Sequence, residues 1–362
     1  MDDDTTPTQD TPQPDPVLTM ESEDEDTSTQ EISSLVQEPT AEPKQAANCT
    51  ELDDVLMRYY LCPMYALEFT LGFLGNLVVV LGYPLCLQEW RSTNIYLYNL
   101  AVSDIICVCA LPRLSYLYAN DMEETSPFNC VLNRYILFVN MYSSVLFMAL
   151  VSLDRYLLLR HPARDHILLK PRMAICASVL TWLLANLEIT PLLYYAVNNN
   201  VHTNGTECND FASLSRSWGF LGYSLGLTVV GYILPLVLLF WSSERMASML
   251  KTQEEAFRQR ATSFKRPLFI VRAAAYMFLL LYLPYHIMRN IRILTRLLVD
   301  RVSTCTIAKI EAVYIITRPI AYAHSVINPI FYFLMTERFR EQLLARGQQL
   351  RKRLTGLYSR TS

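Results

Sequence analysis

Seven stretches of this sequence stay apolar for long enough to cross a bilayer: residues 59–86, 94–119, 127–159, 173–196, 218–244, 267–296 and 307–334. A hydrocarbon core of roughly 30 Å takes about 20 residues of α-helix. Within it every backbone amide and carbonyl must find a partner inside the chain, which leaves helices or closed barrels. The alternation expected of barrel strands is absent. The expected fold class is therefore an all-α membrane protein, a seven-transmembrane helix bundle. Pro84, Pro112, Pro191, Pro235, Pro284 and Pro329 fall inside these stretches. Membrane bundles tolerate such prolines because neighbouring groups re-satisfy the freed carbonyls.

Charge sets the orientation. Residues 1–58 hold 16 acids against Lys44 and Arg58, a net of −14, while the rest holds 18 acids and 29 bases. With the amino terminus outside, segments 87–93, 160–172, 245–266 and 335–362 face inward and carry 18 Lys and Arg, against about four outside. That is the asymmetry expected of cytoplasmic segments. The sequons at Asn48 and Asn204 then both fall outside, as glycosylation requires. MDDDTT is not a signal peptide, so the first span itself is expected to direct insertion. Three regions follow: an extracellular acidic tail over 1–58, the seven-span body over 59–334, and a cytoplasmic basic tail over 335–362. Residues 1–47 are too polar to bury a core and read as disordered. After span seven, 337–349 reads as a short amphipathic helix on the inner leaflet. The protein is expected in the plasma membrane as a multi-pass chain whose solvent is lipid, with no nucleic-acid partner.

Of nine cysteines, Cys62, Cys86, Cys107, Cys109 and Cys176 lie in or beside apolar spans and read as small hydrophobes. Cys49, Cys130, Cys208 and Cys305 fall outside, where disulfides persist. Four cysteines allow three pairings, and composition does not choose among them.

Polar groups inside the spans need an explanation, because each ionisable one costs on the order of 2.5–3.5 kcal/mol to insert. Asp104 sits mid-span in the second stretch, Asp154-Arg155-Tyr156 ends the third, and Asn328-Pro329 precedes Tyr332 in the seventh. With Gly75-Asn76, Leu100-Ala101-Val102-Ser103-Asp104, Cys130, Trp182 and Pro235, these motifs resemble the rhodopsin-like (class A) G-protein-coupled receptors over roughly residues 50–347. The resemblance implies a Cys130–Cys208 bridge. It also implies a heterotrimeric G protein as partner, with Asp154, Arg155, Tyr156, Asn328, Pro329 and Tyr332 as coupling and switch residues. Kinases and arrestins would act on the tail hydroxyls Thr355, Ser359, Thr361 and Ser362. Further stretches, including Asn133-Arg134-Tyr135, 207–213 and 284–292, resemble the branch that takes succinate, oxoglutarate and purinergic nucleotides. That branch implies a second bridge, Cys49–Cys305, and coupling to an inhibitory-class G protein.

Beside the resemblance stands a physical argument about ligand. Helical rise places Arg134, Arg289 and Arg318 at similar depth in the outer third of spans three, six and seven. Guanidiniums remain charged there and match carboxylates as bidentate forks. Two forks facing across a cavity suit a small dicarboxylate, succinate foremost. The bland alternative pairs them with Glu68, Glu188, Asp210 or Glu311, and Asp210 is placed to act as a lid. The resemblance adds Tyr65, Tyr118 and His286 as cavity walls. Succinate-binding members carry a histidine where this chain has Phe138, which keeps 2-oxoglutarate or a nucleotide in play.

Asp104, Ser144, Asn140 and Asn328 could surround an allosteric sodium ion, although His324 replaces the asparagine usual in that network. No other cofactor is expected. Asp154 is expected to hold Arg155 at rest. The inner start of span six offers Lys265 and Arg266 and no acid to restrain Arg155 from across, so ligand-free signalling is expected. Among rival functions, the intact switch motifs argue against a non-signalling scavenger. Span seven has only Lys309, at its outer edge, to form a retinal Schiff base. An enzyme is not expected, since the adjacent His324 and Ser325 project about 100° apart on a helix. Repeat-related broken helices of a transporter are not seen.

Overall fold

The computed structural model describes residues 52–122, 124–163, 165–202, 208, 210–256, 262–336, 339–346 and 348–349. Asn48, Cys49, Asn204, the tail hydroxyls and all of 1–51 lie outside the described residues. The spans are helices at the expected places. They are α1 (Cys62–Cys86), α2 (Ser92–Ala119), α3 (Pro127–Arg160), α4 (Pro171–His202), α5, α6 (Thr262–Leu297) and α7. A helix runs on from Leu52 into α1, through a π turn at Met57–Leu61, so the first span begins seven residues earlier than its hydropathy suggests. α5 joins Trp218–Leu227 to Leu234–Ala256 through a π turn, Thr228–Ile233. Pro235 supplies no amide donor just after that turn, and a widened turn is how a helix absorbs the missing bond. α7 joins Thr304–Tyr322 to His324–Met335 at Ala323. Among the described residues no strand occurs.

Polarity is arranged for lipid. On α1, Leu67, Leu71, Leu74, Val78, Leu81 and Leu85 are exposed at helical spacing, while Tyr65, Glu68, Gly72, Asn76, Val79 and Tyr83 are buried on the other face. In water this apolar stripe would be a liability; in hydrocarbon it is the solvated side. α3 is the most enclosed span and packs on α2, α4, α5 and α6. Gly75 permits a close seam with α7, because a Cβ there would stand 2.7 Å from Pro329 Cγ. Beside it Asn76 Nδ2 donates to Ser325 O at 2.8 Å, fastening α1 to α7. Past α7, the helical residues 339–346 return to the bundle, with Phe339 fully buried 4.7 Å from the Tyr83 ring.

Candidate ligand cavity and switch sites

At the outer end of α3, the Cys130–Cys208 disulfide pins the second outer loop to the top of that helix. The five cysteines read as small hydrophobes are free thiols, and Cys305 is disulfide-bonded. The loop pinned by Cys208 carries Asp210 and the 3-10 turn Phe211–Ser213 into the bundle mouth. A cavity of about 350 Å³ opens there, lined by Arg134, Tyr118, Asp210, Arg292, Glu311 and Arg318 among others.

Its arginines differ in what already holds them. Arg292 Nη1 donates to Asp210 Oδ1 at 2.6 Å and also pairs with Glu311. Arg318 Nη2 donates to the Tyr118 hydroxyl at 3.1 Å, and its Nη1 lies 4.0 Å from Asp210 Oδ2. Arg134, only 8% exposed, has no hydrogen-bond or ion-pair partner among the described residues. Burial alone would raise the Asp210 carboxyl, but the guanidiniums of Arg292, Arg318 and Arg134 outweigh it and hold it well below the usual range. Asp210 therefore remains an anion inside the cavity.

Other residues singled out from sequence lie elsewhere. Arg289 is fully buried beneath the loop turn, where its guanidinium faces the Phe211 ring at 4.6 Å. It donates to Tyr142 OH at 2.8 Å, and to Ser224 O and Thr228 Oγ1 at 3.1 Å each. The Phe138 ring is tilted against that of Phe211, with centroids 4.8 Å apart. His286 is buried against Tyr232, 4.5 Å between rings, and Tyr65 packs 6.2 Å from both Tyr118 and Tyr322. Equal depth thus does not mean a shared cavity. Arg292, one helical turn outward from Arg289, is the residue that sequence reasoning passes over; its i+3 spacing puts it on the same face and nearer the mouth.

Mid-bundle, Asp104 gathers the polar groups of three helices. Its Oδ1 accepts from Asn140 at 3.1 Å, Ser325 at 3.0 Å and Ser144 at 3.5 Å. Its Oδ2 accepts from Asn328 at 2.8 Å and Tyr332 at 3.0 Å. His324 bridges Ala321 O at 2.7 Å and Asn140 Oδ1 at 3.1 Å. Beside these donors, Asn328 Oδ1 is buried with no hydrogen-bond partner among the described residues.

At the inner end, the Asp154 carboxylate accepts from Ser92 and Thr93 of α2. These two hydroxyls fasten the inner end of α3 to the start of α2. Tyr156 packs edge-on to Trp241 of α5 at 5.5 Å.

A model of the seven-transmembrane receptor (rhodopsin family) matches residues 75–332, most of the chain. The chain belongs to that family. It is 41% identical over 310 residues to succinate receptor 1 of Mus musculus, covering 85% of this chain and 96% of the relative. It is 30% identical over 307 residues to a purinoceptor of Homo sapiens, covering 84% of this chain and 81% of the relative. As a class A receptor it is a multi-pass protein of the plasma membrane that takes a ligand outside and a G protein inside. It signals and is not an enzyme.

Proposed function

We propose that this receptor responds to a small dicarboxylate, succinate foremost, and activates an inhibitory-class G protein. One observation carries the reading: a buried guanidinium, Arg134, faces the outer cavity with no acceptor of its own among the described residues. It shares the Asp210 charge with Arg292 and Arg318, and an incoming carboxylate would give it an acceptor of its own. Arg318 on the same cavity supplies a second fork, which the ligand shares with Asp210. The relatives named for succinate support the choice of acid. A nucleotide or 2-oxoglutarate is the second reading, favoured by Phe138 and by the purinoceptor relative. Against a nucleotide stands the cavity, whose roughly 350 Å³ is at the small end of the range of about 300–1,000 Å³ for ligand pockets.

The test is inhibition of cyclic-AMP accumulation by succinate in cells expressing the full chain, with Arg318→Ala alongside. A saturable response lost in the variant supports the reading. Silence from a receptor counted at the cell surface removes succinate, and the same assay then passes to 2-oxoglutarate and nucleotides.

A further inference from the structure

Near the inner end of the bundle, between α3 and α4, lies a groove of about 280 Å³ that shares no lining residue with the outer cavity. Leu150, Leu153 and Leu157 form its α3 wall at the i, i+3, i+7 spacing of one helix face. Met173, Ala177 and Leu180 form its α4 wall at i, i+4, i+7. Seven residues of helix make each wall about 10 Å long. Leu168, on the 3-10 turn Ile167–Leu169 of the second inner connection, lines the end nearest the cytoplasm. Leu180 is exposed, as are Ile175, Val179, Leu183 and Leu187 around it on α4, so the groove opens to hydrocarbon. Basic side chains stand at its inner end. Arg172 is one turn inward from the lining residue Cys176 on the same face of α4, and Lys170 follows Leu168 by two residues. Both are exposed, and neither side chain has a hydrogen bond or ion pair among the described residues.

We propose that this groove binds an anionic phospholipid of the inner leaflet, with one acyl chain lying between α3 and α4 and the headgroup phosphate on Arg172 and Lys170. The lining supplies leucine and methionine side chains against which a hydrocarbon chain packs, and its volume is just below the range of about 300–1,000 Å³ typical of drug-sized ligands. Charge chooses the headgroup. A guanidinium fork matches a phosphate, and basic clusters on the cytoplasmic side of membrane helices attract anionic lipids. A sterol would fill the apolar part equally and leave both cations without an anion. The acid on the wall, Asp154, is 4% exposed and already engaged by Ser92 and Thr93, which leaves the basic end as the place for a headgroup. A lipid seated here bridges Leu168 of the inner connection to α3 beside Asp154-Arg155-Tyr156. The site is independent of which acid the outer cavity takes.

The decisive experiment places the full-length receptor in phosphatidylcholine bilayer discs with a trace of phosphatidylserine that carries a light-activated diazirine on one acyl chain. After illumination, label should concentrate in residues 150–157 and 173–180 and be competed by unlabelled phosphatidylserine. Lys170→Gln with Arg172→Gln should lower the yield there by at least about fivefold, the factor expected for a single basic residue at an anionic surface. Both side chains are exposed and unbonded, so the unfolding temperature of that variant should match the parent's. Ala177→Phe, which fills the groove and keeps the basic residues, should lower the yield as well. Label as dense along the lipid-facing stripe of α1 would overturn the site, and so would equal labelling by a phosphatidylcholine probe. A parent-like yield from the basic double variant, or from Ala177→Phe, overturns it too. Displacement by cholesterol at lower concentration than by phosphatidylserine would assign the groove to a sterol and refute the headgroup contact.

Discussion

Replacing Arg134 by Gln should weaken the ligand without weakening the protein. In the ligand-free receptor this side chain donates to nothing among the described residues, so truncating it breaks no hydrogen bond, and Arg292 and Arg318 remain to hold the Asp210 carboxylate. With a dicarboxylate bound, Arg134 would make a two-pronged charge-assisted contact. Each hydrogen bond to a charged group is worth about 1.5–3 kcal/mol, and Gln can restore a neutral one. A net loss of about 3 kcal/mol corresponds to roughly a 150-fold rise in the succinate concentration for half-maximal cyclic-AMP inhibition. Thermal unfolding of the purified receptor should meanwhile begin no lower than in the parent. Arg292→Gln provides the contrast, because it strands Asp210 and Glu311 beside each other and should cost a few kcal/mol of stability. The reasoning is refuted if Arg134→Gln lowers the unfolding temperature as far as Arg292→Gln does, or leaves the half-maximal concentration where it was.

With Lys265 and Arg266 and no acid at the start of α6, cells expressing the receptor without ligand should show less cyclic AMP than mock-transfected cells; equality refutes this. Asp210 titrates below its unfolded value of about 3.9, so its pairing contributes stability above that pH and loses it only as pH falls further, through the depressed folded value. The unfolding temperatures of the parent and Asp210→Asn should accordingly differ by the same amount at about pH 5.5 and 7.5, and a gap that closes by pH 5.5 would show the carboxyl is not held low. Gly75→Ala drives a methyl group into Pro329, an overpacking worth about 1–3 kcal/mol, and should lower the unfolding temperature measurably.

Length and apolarity are enough to place the spans, because lipid leaves the backbone no partner outside its own helix. Arginine and lysine counts set the orientation for an equally local reason, the unequal charge of the connecting segments. The motifs around Asp104, Asn328 and Tyr332 are legible too: polar residues in hydrocarbon must converge, and these do. The amino-terminal end of α1 is not, since Leu52–Arg58 is polar enough to read as tail and is helical only by continuing a helix that packs below it. Nor can the sequence sort the arginines. Counting residues along a helix gives height above a proline or a cysteine, but which neighbour each side chain meets depends on the rotation of three helices about their axes. It depends as well on Phe211, which a disulfide spanning 78 residues of chain brings against Phe138 and the Arg289 guanidinium. The sequence alone establishes a receptor with three cationic side chains near its mouth. The tertiary structure decides that Arg134 and Arg318 share a cavity while Arg289 lies buried against the Phe211 ring, because only packing fixes azimuth and only packing can put a loop residue between two helices.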